Sequence, residues 1–112
     1  MSLDDLLKRL AKLSTIGNEV KFYHKDKQQE YYTLGKVVDE VSVISTDNPE
    51  YKIFIQKIKG SDGNIGYRIC YYVINRKKTG IVFGQYACVL NEHDFEELIK
   101  KAREKFLGEK SL

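Results

Sequence analysis

At 112 residues and 13.0 kDa the chain has room for one core and not two. Apolar residues make up 42% and charged residues 31%, with one Pro and eight Gly, a balance that excludes a disordered or fibrous chain. The net charge of +3 is too small to name a nucleic-acid partner by itself, but it is unevenly spread: residues 51–80 hold seven Lys or Arg against a single Asp.

Ser2 reads as an N-cap with Asp5 three positions on, and Leu3, Leu6, Leu7, Leu10 and Leu13 form one stripe, so an amphipathic helix is expected over 2–14, stopped near Gly17 and Asn18. From Glu19 the period changes to two, with Val20 and Phe22 alternating with Lys21, Tyr23 and Lys25, which predicts a strand. Residues 26–30 are polar and read as a loop. The stretch 31–45 is rich in β-branched and aromatic residues, with Gly35 and Asp39-Glu40 as bends, and reads as two short strands or one bent one.

Thr46-Asp47-Asn48-Pro49-Glu50 is a turn by composition, followed by a strand over 51–59 whose alternation is blurred. Residues 60–64 then close a hairpin into a strand over 65–76, and a turn over 77–80 leads into a last strand over 81–90. Asn91 is an N-cap candidate, with Glu92 and Asp94 in the first turn and Phe95, Leu98, Ile99, Ala102 and Phe106 on one stripe, so a second amphipathic helix is expected over 92–107. The fold class is α+β: one domain over 1–112, with an antiparallel meander of about five strands in 19–90 flanked by the two helices. Both helices are expected on the concave or inner face of the sheet.

A three-residue loop Lys78-Thr79-Gly80, with Gly80 left-handed, sets Lys77 opposite Ile81. One face then carries Tyr67, Ile69, Tyr71, Val73, Ile81 and Phe83 and reads as core. The other pairs Tyr72 with Tyr86 between Arg68 and Arg76, and Cys70 with Cys88. Accessible rings flanked by guanidinium groups suit single-stranded nucleic acid, because bases stack on aromatic faces and cations neutralise phosphates. Lys77 and Lys78 at the turn, Lys21, Tyr23 and Lys25 on the first strand, and Lys52 and Phe54 on the third extend that surface. The same face would equally serve as a buried interface in a homo-oligomer.

No window approaches the ~20 consecutive apolar residues of a membrane span, and the two cysteines lack metal-type spacing. The expectation is a cytoplasmic protein with reduced thiols, no membrane contact and no cofactor. Asp39 with Glu50-Tyr51-Lys52 weakly echoes the acidic, E-x-K arrangement of metal-dependent nucleases, a third and lesser reading.

The C-terminal half, through Tyr67-Arg68-Ile69, Lys77-Lys78-Thr79-Gly80-Ile81 and residues 90–98 (LNEHDFEEL), resembles the positive-cofactor-four and Whirly-type single-stranded-DNA-binding proteins over about 40 residues. That resemblance implies a homodimer joined through C-terminal helices and binding single strands across its sheets. The reading carried forward is a non-enzymatic, homodimeric single-stranded nucleic-acid-binding domain.

Overall fold

In the computed structural model, residues 1–25, 30–84 and 87–109 are described, the side chains of residues 22–25 and 30–33 excepted. Among them the order of elements is α1 (Leu3–Lys12), β1 (Glu19–Lys25), β2 (Glu30–Ile44), β3 (Tyr51–Gly60), β4 (Ile65–Ile74), β5 (Ile81–Phe83) and α2 (Glu92–Leu107). The five strands form one antiparallel sheet in the order β1-β2-β3-β4-β5, an α+β meander between two helices. No helix among the described residues is long and apolar enough to cross a membrane.

The helices lie on opposite faces of the sheet, not together on one. Val41 and Val43 of β2, Ile53 and Ile55 of β3 and Tyr71 of β4 pack against Leu98, Ile99, Ala102 and Phe106 of α2. Their sequence neighbours Ile44, Tyr72 and Ile74 pack against Leu6, Leu7 and Leu10 of α1. Adjacent residues of a strand point to opposite faces, so the two clusters are two half-cores separated by the sheet. This explains the blurred alternation of β3, which is buried on both sides because a helix covers each.

Local chemistry sets each boundary. Ser2 and Asp5 form the capping box expected of α1, and its stripe buries Leu6 and Leu10 completely, each worth roughly 2 kcal/mol. The helix ends at Lys12, before Gly17, where Leu13 turns extended, and Lys52 of β3 donates to the carbonyls of Ala11 and Leu13 left at that end. β2 is one bent strand: Val38 is an extra residue between the pairs Val37↔Ile58 and Asp39↔Lys57, and this bulge exchanges the two faces along β2. Asn91 caps α2 by accepting the Asp94 N–H at 2.8 Å.

The β4–β5 register differs from the expected one. Asn75, not Lys77, closes the loop: its N–H donates to the Gly80 carbonyl, and its side chain accepts the Thr79 N–H at 2.9 Å. Lys78, not Gly80, takes the left-handed conformation, at φ 54°. Tyr72 is therefore opposite Phe83 and Ile74 opposite Ile81. The slip is odd in residue number, so it turns every β5 side chain to the other face. β5 is also short, ending at Phe83. The Gly84 N–H still bonds the Tyr71 carbonyl, and the Tyr71 ring lies where a Cβ on Gly84 would stand, 2.0 Å from the nearest ring atom. Only glycine fits there.

Candidate nucleic-acid interface

On the α1 face, most of the expected ligand surface is occupied by the protein itself. Phe54 is fully buried, and its ring meets Tyr72 edge-on at 5.7 Å. Tyr72 also meets Phe83 edge-on at 5.4 Å and joins the Leu6, Leu10 and Ile74 cluster, where burial pushes its hydroxyl pKa up. Lys52 is 6% exposed, with its ammonium on the carbonyls of α1 and 5.1 Å from the Phe54 ring centroid. Burial pulls its pKa below the ordinary lysine range, against the opposing pull of the Glu40 charge. These three side chains are core and capping groups, not an extension of an exposed patch.

Beside them a polar row crosses the sheet. Glu40 accepts the Ser14 hydroxyl and the Thr15 N–H (2.8 Å), Gln56 donates to the Thr15 hydroxyl (2.9 Å), and Arg68 donates from Nε to Gln56 Oε1 (2.8 Å). Thr15, Glu40 and Gln56 are buried. The half-buried Arg68 guanidinium rests 5.3 Å from the Phe83 ring centroid. The row seats the segment after α1 on the sheet, with every member's hydrogen bonding tied to a neighbour. From the sequence alone Glu40 reads only as part of a bend. Lys52 and Gln56, polar inside an apolar strand, were the available signal for a buried network.

Of the remaining expected residues, Arg76 and Lys77 are exposed on the β4–β5 turn, and Lys78 forms an ion pair with Glu50. Lys21 is exposed on β1. Tyr23 and Lys25 lie in β1 with side chains outside the described residues, and Tyr86 is itself outside them. Cys70 and Cys88 are free and do not pair across the sheet, since β5 ends before Cys88. Cys70 is buried on the α1 face and Cys88 packs with the α2 cluster. Burial raises both thiol pKa values. Asp39 and Lys52 fall on opposite faces, Asp39 held by Lys105 at 2.9 Å and its carboxyl kept below the usual range mainly by that bond. Glu50 is at the turn, so the nuclease-like set is not assembled.

The α2 face of the outer half of the sheet is different. α2 covers β2 from Glu40 onward, where Lys105 and Lys101 donate to the carbonyls of Glu40 and Ser42, and its Phe106 ring reaches Tyr67 at 5.4 Å. Beyond that contact no helix covers the face among the described residues. There Lys36 stands directly opposite Lys59, Lys57 opposite Tyr67, and Lys21 opposite Leu34. Leu34, Val38, Ile65 and Tyr67 are 44–53% exposed between these lysines. Among the described side chains of the sheet, the acids on the face are Glu19, opposite Lys36, and Asp39, opposite Lys57 and paired with Lys105. Like charges directly across a sheet repel, so the Lys36–Lys59 pair costs stability unless an anion lies near. Sequence reading missed this surface because the bulge at Val38 is invisible to simple alternation. The seven cations of residues 51–80 were its signal.

No family model, curated protein or solved structure matches the chain.

Proposed function

We propose that the protein binds single-stranded nucleic acid on the α2 side of the outer sheet, with lysines 36, 57, 59 and 21 along the phosphate path and Tyr67 as a stacking platform. What supports the reading is the cross-strand Lys36–Lys59 pair, flanked by Lys57 and by an aromatic ring that is 53% exposed. Phosphates between the two lysines relieve their repulsion, and a base on Tyr67 adds roughly 1–3 kcal/mol with little regard to sequence. The α1 face is not part of this surface, because its ring, ammonium and guanidinium groups already have partners.

The test is anisotropy of a labelled oligonucleotide, single- and double-stranded, over a range of salt. Single-strand affinity falls steeply with salt, and Lys36→Glu with Lys59→Glu lowers the log–log slope by roughly 1.4, two phosphate contacts' worth. Binding that is absent, or indifferent to salt, overturns the reading.

A further inference from the structure

β3 borders one side of β4 along its whole length, whereas on the other side β5 pairs only with Tyr72, Val73 and Ile74, and Gly84 bonds Tyr71. Among the described residues nothing pairs with Ile65 to Cys70 on that side. The phase of the ladder follows from three bonds. The Ile74 N–H donates to Glu50, on the β3 side, whereas the Tyr71 carbonyl and the Asn75 N–H bond Gly84 and Gly80, on the β5 side. Backbone direction alternates along a strand, so Ile65, Tyr67 and Ile69 present their N–H and C=O groups outward.

The same three residues carry exposed apolar side chains, at 47%, 53% and 64%. Natural edges are usually blunted by a charge, a proline or a bulge. This edge has Arg68, turned to the other face and held by Gln56.

We propose that this edge pairs, antiparallel, with the same edge of a second copy about a twofold axis at Tyr67, joining two sheets into one. The register is self-complementary. Tyr67 meets its own copy, Ile65 meets Ile69, and each of these pairs exchanges two backbone hydrogen bonds. Arg68 falls opposite Gly66, where a Cβ would find nothing within 4 Å, so the two guanidiniums do not confront each other. A twofold normal to the sheet also brings the two Tyr67–Phe106 contacts side by side as an apolar cluster. The proposal shares Tyr67 with the nucleic-acid reading but does not rest on it, since it is argued from the backbone edge alone.

Light scattering on the full chain, without nucleic acid, from about 1 to 100 μM shows a concentration-dependent dimer. Ile69→Lys and, separately, Tyr67→Pro each weaken association by at least about ten-fold, with an unchanged circular dichroism spectrum; the proline removes an N–H that makes no bond to β3. Should either variant fail to fold, Tyr67→Cys in a Cys70→Ala, Cys88→Ser background gives a positive signal. Directly paired Cα atoms about 5.5 Å apart allow a disulfide, so mild oxidation yields a covalent dimer. A chain that stays monomeric, a dimer that survives both edge substitutions, or a dimer that does not cross-link at Tyr67→Cys overturns the proposal. Lys36→Glu with Lys59→Glu leaves the dimer intact, which separates its failure from failure of nucleic-acid binding.

Discussion

β3 and β4 hold two cross-strand lysine–tyrosine pairs, Lys52 with Tyr72 and Lys57 with Tyr67, and the sheet treats them oppositely. Each member of one pair is five residues from its counterpart in the other, an odd step that puts the pairs on opposite faces. Lys52 and Tyr72 lie beneath α1, where the ammonium caps the helix and the ring is wedged between Phe54 and Phe83. Lys57 and Tyr67 lie at the end of α2, where the face opens and further lysines gather. The residue types are the same, so their role follows from what comes down over them.

The largest test of this contrast is Glu40→Ala. It leaves the buried Thr15 N–H without its acceptor and removes the carboxylate whose charge opposes the desolvation of Lys52. The expected loss is about 3 kcal/mol, read as a fall in the urea midpoint. Lys59→Ala, on the open face, changes stability by less than about 0.5 kcal/mol. Equal losses would mean that the two faces are not organised differently.

A sharper version exchanges the tyrosines. Tyr72→Ala costs roughly 3 kcal/mol, through lost packing on Phe54, Phe83 and α1, and leaves oligonucleotide affinity per folded molecule unchanged. Tyr67→Ala costs about 1 kcal/mol, from its partial contact with Phe106, and weakens binding by the stacking of one base, about five-fold or more. The reverse pattern would return the ligand to the α1 face.

Much of the fold was legible because it rests on local signals. The capping box at Ser2, the Asn91 cap and the two helical stripes lie within a few residues of the atoms they organise, and α2 spans the expected 92–107. The candidate surface was not legible because it depends on register. Asn75 carries an amide that captures Thr79, which moved the β4–β5 pairing and with it the partner of Tyr72. The Val38 bulge moved Lys36 onto the face of Lys59 and Lys57. Both events change the face of a whole strand, and alternation cannot detect either. The opposite placement of the helices escaped for a related reason: β3 carries apolar residues on both sides, Ile53 and Ile55 on one and Phe54 and Ile58 on the other, a pattern also compatible with one thick core.

The smallest effect concerns the covered end of the α2 face. The Asp94 carboxylate accepts the Thr46 N–H at 2.8 Å and the Thr46 hydroxyl at 3.1 Å, tying the start of α2 to the β2–β3 turn. The Thr46 N–H bond is the main reason its pKa is held below the ordinary aspartate value, with the His93 ring at 3.3 Å assisting. A carboxyl depressed on folding contributes stability that is complete above its unfolded pKa near 4 and is lost as pH falls through the folded value. Asp94→Asn keeps an acceptor but not the charge, so the wild type is the more stable at pH 7 and its advantage shrinks steadily below about pH 4. Urea titrations of both proteins from neutral to acid pH read that difference directly. An advantage that persists undiminished in acid would locate the stabilisation in the shape of the Asn91–Thr46–Asp94 cluster and not in its charge, and would remove the electrostatic tie between helix and turn.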